Sequence, residues 1–197
     1  MTAPLSRRQM LGTAAAAGAA ALFSTGTAKA ATAATTKAAG TDPAGAARSS
    51  DRARRAPVPP GVYAITKPHD RLLTLDDREG PVIVLPPDGE PGFQEWQLES
   101  LSNGNVTLRN LRHGTYASYE GDPSVNKLVV GRPTPTEWAL YQSAEPRRFH
   151  VVVPGGPIDG TELALDLSLL LIYPPRTALR PLRLDDRDQA WGFQFHE

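Results

Sequence analysis

The stretch QEWQLE, residues 94–99, sets a tryptophan between polar neighbours in a segment typical of a short β-strand. Similar segments return as TEWALY at 136–141 and as QAWGFQ at 189–194. The chain contains three tryptophans in all, and each of them lies in this setting. Such a recurrence indicates an internal repeat, and an internal repeat determines the architecture of a fold.

Short apolar runs broken by Gly, Pro, Asp and Asn continue from residue 61 to the end of the chain, which is the pattern of strands joined by turns. The runs predict three groups of four strands, and the last strand of each group carries the tryptophan. The predicted strands are residues 61–67, 71–76, 81–86 and 94–99, then 105–111, 114–120, 127–132 and 137–142, and finally 147–153, 161–167, 177–184 and 189–195.

Three units of four strands predict an all-β fold, the β-trefoil, in which a six-stranded barrel is capped by three hairpins. One tryptophan per unit is then expected to fill the barrel core. A two-sheet sandwich is the competing architecture, but it does not explain a threefold recurrence. The interval from Trp138 to Trp191 is longer than the one before it, and we attribute the difference to an insertion, residues 168–176, between the second and third strands of the last unit.

The N-terminal region predicts export. SRRQML (6–11) resembles the twin-arginine signal of bacteria, an Ala/Gly-rich run follows it, and Ala28 and Ala30 offer the small residues that a signal peptidase reads. We therefore predict a signal peptide over residues 1–30.

Residues 31–59 have almost no large apolar side chains, which predicts a disordered linker, and residues 60–197 form the domain. We expect a secreted monomer without a membrane partner.

Composition excludes several classes of function. Residues 60–197 hold 13 basic and 19 acidic residues, a net charge of −6, and a domain of that sign repels the phosphates of nucleic acids. The chain has no cysteine, and neither GxSxG, HExxH nor a Gly-rich phosphate loop occurs. We therefore predict no enzyme activity, no catalytic residue, no cofactor, no metal site and no nucleic-acid partner.

Several short motifs resemble known trefoil families. The Gln-x-Trp pattern, at 94–96 and 189–191 with the variant 136–138, is similar to the repeat mark of ricin-type β-trefoils. The order of segments resembles the β-trefoil serine peptidase inhibitors of the cospin-like family, first described from mushrooms. That order is carried by GVYAI (61–65), VIVLPPDGEPGFQEWQLE (82–99), PTEWALYQSAEPRRFHVVVP (135–154), YPPRTALRPL (173–182) and WGFQF (191–195). The resemblance covers residues 60–197 and implies an inhibitor of a trypsin-like or subtilisin-like serine protease that inserts a loop into the active site.

The resemblance points first to the loop between the second and third strands, because that loop contacts trypsin in the family. Its counterpart here is DDREGP (76–81), with Arg78 at the tip between Asp77 and Glu79. An arginine suits the acidic floor of a trypsin-like specificity pocket. Alternatively, Arg78 pairs with Asp77 or Glu79 on the surface.

Two further segments could meet a protease. YPPRTA (173–178) places Arg176 and Thr177 after paired prolines, which restrict the backbone. The apolar residues 169–172 just before it form a partner surface or pack under the barrel. Arg132 is the third candidate.

Carbohydrate binding is the alternative function. Ricin-type trefoils hold galactose-like sugars with a carboxylate, a stacked aromatic ring and a nearby amide. The first unit offers a carboxylate, Asp76 or Asp77, and the second and third units each offer a carboxylate and a tyrosine, but no unit supplies all three groups in the order of that family. The candidates are Asp76, Asp77, Tyr119, Asp122, Asp166 and Tyr173.

Overall fold

The computed structural model describes residues 55–196, and this part of the chain contains twelve β-strands and no helix. All twelve predicted strands are present, several of them shorter than predicted. The strands are β1 (Gly61–Lys67), β2 (Arg71–Thr74), β3 (Ile83–Leu85), β4 (Glu95–Ser100), β5 (Val106–Asn110), β6 (Tyr116–Ser118), β7 (Val130–Arg132), β8 (Ala139–Gln142), β9 (Arg148–Val152), β10 (Leu163–Leu167), β11 (Thr177–Pro181) and β12 (Trp191–Phe195). The predicted signal peptide and residues 31–54 of the predicted linker lie outside the described residues.

Six of the strands close into a barrel. Antiparallel pairing joins β1 to β4, β4 to β5, β8 to β9, β9 to β12 and β12 back to β1. The last gap, between β5 and β8, is closed by two backbone hydrogen bonds of 2.8 Å between Val106 and Trp138. The other six strands form the hairpins β2–β3, β6–β7 and β10–β11. A six-stranded barrel with three hairpins is a β-trefoil, so the predicted fold class is confirmed.

A ring of three backbone hydrogen bonds joins the three hairpins to one another. Val82 N donates to Val129 O at 2.9 Å, Val129 N to Thr177 O at 3.1 Å, and Thr177 N to Val82 O at 2.9 Å. Each residue lies just before or at the start of the third strand of its unit. The ring supplies partners to polar backbone groups that are buried where the hairpins meet.

The three tryptophans fill the barrel core, and each is 0% exposed. In every unit the indole N–H also donates to a backbone carbonyl of the second strand of that unit. The bonds run from Trp96 to Leu73 at 2.9 Å, from Trp138 to Ala117 at 3.0 Å and from Trp191 to Leu165 at 2.9 Å. The recurrent tryptophan therefore has two structural roles, because it packs the core and ties the fourth strand of each unit to the second.

The extra length of the third unit does not lie where the sequence analysis placed it. Ala117 and Val129 are 12 residues apart, and their equivalents in the third unit, Leu165 and Thr177, are also 12 apart. Residues 168–176 are therefore no insertion relative to the second unit, and the prediction was wrong because it rested on tryptophan spacing alone. The extra residues lie in the connections 153–162, between β9 and β10, and 182–190, between β11 and β12.

Residues 55–59, assigned to the linker from sequence, belong to the domain in the structure. Ala56 N donates to Leu140 O at 2.9 Å, and the Arg55 guanidinium donates to Asn103 O at 2.8 Å. Val58 is buried in the core cluster. The linker prediction missed this segment because one apolar residue among prolines gives little signal.

We expect Trp138→Phe to lower the free energy of unfolding by about 2–4 kcal/mol, because it leaves a cavity and removes the donor to a buried carbonyl. Trp96→Phe and Trp191→Phe should cost similar amounts, since their indoles make the same bond. Urea unfolding measures all three. Tyr173→Phe, at an exposed position, is the control and should change stability by less than about 0.5 kcal/mol. A Trp138→Phe effect as small as that of the control would contradict the structural role.

Candidate functional site

The loop between β2 and β3 holds the backbone of Arg78 firmly and leaves its side chain free. Thr115 Oγ1 donates to Arg78 O at 2.9 Å, and Gly80 N donates to Asp77 O at 3.0 Å within the turn. Gly131 lies directly under the loop, where a Cβ atom would come within 2.3 Å of Arg78 O. The Arg78 guanidinium is exposed and forms no ion pair or hydrogen bond with another described residue.

The pairing of Arg78 with Asp77 or Glu79, which the sequence left open, is therefore not formed among residues 55–196. Of the candidate contact residues, Asp77, Arg78 and Glu79 all lie on an exposed loop. A partner protein could reach this loop without any rearrangement of the barrel.

The other predicted contact residues are less available. Thr177 is 0% exposed and its hydroxyl donates to Val82 O at 2.9 Å, so burial removes it from the candidates. Arg176 is half-buried, and its carbonyl accepts the Ser168 N–H at 2.8 Å. Arg132 forms an ion pair with Glu120 at 2.8 Å.

The segment before Arg176 is an exposed apolar loop, which we define as residues 169–173. Leu171 is 101% exposed and Tyr173 is 77% exposed, so the alternative in which residues 169–172 pack under the barrel is wrong. Local bonds hold the loop in shape, since Leu170 N donates to Ser168 Oγ at 3.2 Å and Ile172 N donates to Leu170 O at 2.9 Å. The other alternative, that this loop is a partner surface, stays a prediction.

The predicted sugar-binding residues do not form one site. Asp76 and Asp77 lie at exposed positions of the β2–β3 loop, and Asp122 lies at an exposed position of the β6–β7 loop. Tyr119 is half-buried and packs edge-on against Trp138, with ring centroids 5.7 Å apart. This packing leaves little of the Tyr119 ring surface open for stacking on a ligand.

A hydrogen-bonded side-chain pair occupies equivalent positions in the three units, and its chemistry differs between them. One member of each pair lies two residues before the tryptophan. The other member directly follows the second-strand residue whose carbonyl accepts the indole hydrogen bond. The pairs are Gln94 with Thr74, Thr136 with Ser118, and Gln189 with Asp166. Of the three units, only the third pairs an amide with a carboxylate.

Asp166 is 7% exposed, and protein donors occupy both of its carboxylate oxygens. Oδ1 accepts from Lys67 Nζ at 3.2 Å and from Leu167 N at 2.7 Å. Oδ2 accepts from Gln189 Nε2 and from Arg183 Nη2, both at 3.2 Å. A sugar hydroxyl would have to displace one of these donors, so Asp166 supports the site and does not itself face a ligand.

Lys67 is the partner that the carboxylate requires. It ends β1 with its side chain 4% exposed, donates to the carbonyl of Asp188 as well as to Asp166, and lies 4.3 Å from the ring centroid of Trp191. Burial lowers the pKa of the Lys67 ammonium, and the Asp166 carboxylate partly offsets that change. Sequence reasoning missed Lys67. The available signal was its place in β1, where Tyr63, Ile65 and Lys67 alternate on the inner side.

A pocket of about 330 Å³ lies beside this network, and we call it the Lys67 pocket. Its polar lining is Lys67, His69, Arg71 and Asp188, and its apolar lining includes Val84 and Leu167. The tight turn between β1 and β2 carries His69, in the left-handed backbone region at φ 66°, and leads directly into Arg71, the first residue of β2. Within the described residues, the side chains of His69, Arg71 and Asp188 form no hydrogen bond or ion pair.

Comparison with solved structures establishes the fold. No family model and no curated protein sequence matches the chain. The structure comparison finds a Macrolepiota procera ricin B-like lectin in complex with lactose, at 23% identity and a TM-score of 0.59, covering 72% of this chain and 100% of that one. The Rhizoctonia solani agglutinin matches at 20% identity and a TM-score of 0.59, with the same coverage of both chains.

A designed threefold-symmetric protein, ThreeFoil, matches at 17% identity with a TM-score of 0.57, covering 68% of this chain and 97% of that one. At these identities the likeness concerns the fold alone. The chain therefore has the β-trefoil fold of the ricin B-like lectins, and the cospin-like resemblance stays a prediction.

No group of three or more His, Cys, Asp or Glu side chains in residues 55–196 is placed to hold a metal ion. In the same part of the chain, no helix has the length and hydropathy needed to cross a bilayer.

We expect Asp166→Asn to lower the free energy of unfolding by about 3–5 kcal/mol, because it leaves the buried Lys67 ammonium without a counter-charge. Adding Lys67→Met should restore at least half of the loss, since the uncompensated charge is then gone. Glu120→Gln, which breaks an exposed ion pair with Arg132, is the control and should cost less than about 1 kcal/mol. Chemical denaturation measures each. A double variant no more stable than Asp166→Asn would contradict the pairing.

Proposed function

We propose that this protein binds carbohydrate through the Lys67 pocket. The observation that carries the proposal is a cavity of about 330 Å³ in which the side chains of His69, Arg71 and Asp188 have no partner among residues 55–196. Small-molecule sites in proteins are concave, begin at roughly 300 Å³, and combine apolar lining with a few polar groups. The size of the Lys67 pocket suits one sugar ring.

The lining offers both kinds of hydrogen-bonding group that a sugar needs. The Asp188 carboxylate accepts hydrogen bonds from sugar hydroxyls, and the Arg71 guanidinium donates to sugar oxygens. The ring of His69 can do either, depending on which nitrogen carries the proton. Val84 and Leu167 provide apolar contact for the C–H face of the ring.

The buried ion pair of Lys67 and Asp166 keeps the pocket in one shape. Lys67 is held by Asp166 and by the carbonyl of Asp188, so the backbone that carries the Asp188 carboxylate is fixed to the core. A pocket fixed before binding lowers the ordering cost of association. The lactose complex of the M. procera lectin supports a galactose-containing sugar as the first probe.

The pocket differs from the arrangement of carboxylate, stacked aromatic ring and amide that ricin-type trefoils use. Its free carboxylate is that of Asp188, since Asp166 is buried. The lining of the pocket contains no Tyr, Phe or Trp. Without stacking on such a ring, we expect a dissociation constant of about 1 mM for a single sugar, which corresponds to roughly −4 kcal/mol.

We expect Asp188→Asn to weaken lactose binding about tenfold, since a charged acceptor contributes roughly 1.5 kcal/mol more than a mismatched neutral one. Isothermal titration with lactose measures the change. Glu99→Gln removes another exposed carboxylate, on β4 and outside the pocket, and should leave the affinity as it is in the unaltered protein. Equal losses in both variants, or none in Asp188→Asn, would rule out the pocket as the sugar site.

A second candidate function, inhibition of a serine peptidase, is favoured by one observation. The Arg78 side chain is exposed and unpaired among the described residues, while its backbone carbonyl is held by Thr115. A rigid loop that presents one arginine meets the geometric requirement for entering an acidic specificity pocket. The twin-arginine motif at 6–11 supports export, which would bring either function outside the cell.

If the loop acts in this way, we expect Arg78→Gln to abolish stoichiometric inhibition of trypsin, because the acidic specificity pocket of trypsin then receives no cation. Arg176→Gln is the matched control, since Arg176 is half-buried with its carbonyl bonded to Ser168, and it should inhibit like the unaltered protein. Active-site titration of trypsin measures both. Inhibition that survives Arg78→Gln, or no inhibition by the unaltered protein at micromolar concentration, would reject the loop assignment.

A further inference from the structure

A second, larger cleft of about 910 Å³ lies between residues 57–59, β1, the start of β9 and β12. Aromatic rings form much of its lining, and they pack edge-to-face in a connected series. The centroid distances are 5.9 Å for Tyr63–Phe193, 5.4 Å for Tyr63–Phe195 and 5.4 Å for Phe149–Phe193. This packing fixes the wall of the cleft before any ligand arrives. We call it the aromatic cleft.

Phe195 provides the accessible aromatic surface of the cleft. Its side chain is 61% exposed, whereas Tyr63, Phe149 and Phe193 are each buried. One side of the Phe195 ring packs directly on Gly61, where a Cβ atom would lie 2.5 Å from Phe195 Cε2. The glycine thus lets the ring lie against the β1 backbone and leaves its remaining surface open to a second flat group.

The charge of the cleft is opposite to that of the domain. Its lining contains Arg147 and Arg148 and no carboxylate, although residues 60–197 carry a net charge of −6. Arg148 is already engaged within the protein, because it pairs with Glu145 at 3.2 Å and donates to Ala190 O at 3.0 Å. Arg147 is exposed, and its guanidinium has no partner among the described residues.

The backbone of Arg147 is held in an unusual conformation. Its φ angle is 61°, in the left-handed region that residues other than glycine rarely adopt. The Phe193 N–H donates to Arg147 O at 3.0 Å and fixes this geometry against β12. Strained backbone that the surrounding structure holds in place is most common at binding sites.

We propose that the aromatic cleft binds an anionic organic molecule with a flat apolar ring, of the arene carboxylate class. The ring lies against Phe195, where aromatic pairs gain energy beyond their buried area. The carboxylate accepts two parallel hydrogen bonds from the Arg147 guanidinium, which matches its planar geometry. The aromatic cleft shares no lining residue with the Lys67 pocket, so this proposal goes beyond the sugar binding proposed above.

The test compares three probes that share one ring system and differ in charge. These are 2-naphthoate, neutral 2-naphthalenemethanol and the 2-naphthylmethylammonium cation, titrated into the full chain by calorimetry. We expect 2-naphthoate to bind about tenfold more tightly than the alcohol, since a charge-assisted bond contributes roughly 1.5 kcal/mol, and the cation to bind least. An affinity of the anion equal to or below that of the alcohol would overturn the proposal.

Variants then locate the site. Arg147→Gln should reduce 2-naphthoate to the affinity of the alcohol and leave the alcohol unchanged, whereas Phe195→Leu should weaken both probes. Arg78→Gln, at another exposed and unpaired arginine, and Leu171→Ser, in the exposed apolar loop, should change neither. Thermal unfolding confirms that each variant is folded. Charge preference that survives Arg147→Gln, or binding lost in Leu171→Ser, would place the ligand elsewhere and overturn the proposal.

Discussion

The structure depends on one requirement, that a buried indole N–H must find an acceptor. In each unit the acceptor is a carbonyl of the second strand, at 2.9–3.0 Å. Because each tryptophan lies in the first two residues of the fourth strand or directly before it, the bond fixes the hairpin of the unit relative to the barrel. The backbone ring of Val82, Val129 and Thr177 then joins the three hairpins to one another. The indole bonds and this backbone ring therefore act together, one within each unit and the other between units.

The same repeated geometry shows where one unit differs chemically from the others. The position after the bonded carbonyl holds a hydroxyl in two units and a carboxylate, Asp166, in the third. A carboxylate at a buried position needs compensating charge. Lys67 at the end of β1 supplies it, and the turn that follows places His69 and Arg71 at the rim of the Lys67 pocket. The Lys67 pocket therefore lies beside the position at which the third unit differs from the other two.

The fold could be predicted from sequence because its signal repeats, whereas the site could not because its parts come from different units. Alternating strands and three tryptophans are local patterns, and they predicted all twelve strands. The Lys67 pocket combines a turn of the first unit with Leu167 and Asp188 of the third, a proximity that only the closed barrel creates. The insertion was misplaced for a related reason, since tryptophan spacing gives the length of a unit but not where the extra residues lie. Exposure of residues 169–173 also required the structure, because an apolar run does not reveal which side faces solvent.

The most direct measurement of the central claim is a two-dimensional amide NMR titration of the protein with lactose up to millimolar concentration. Binding in the Lys67 pocket predicts shifts concentrated at residues 67–71, Leu167 and Asp188, with the backbone amides around Arg78 and Arg147 unchanged. Shifts clustered at another surface, or a spectrum that does not respond at all, would contradict the assignment of this pocket as a carbohydrate site.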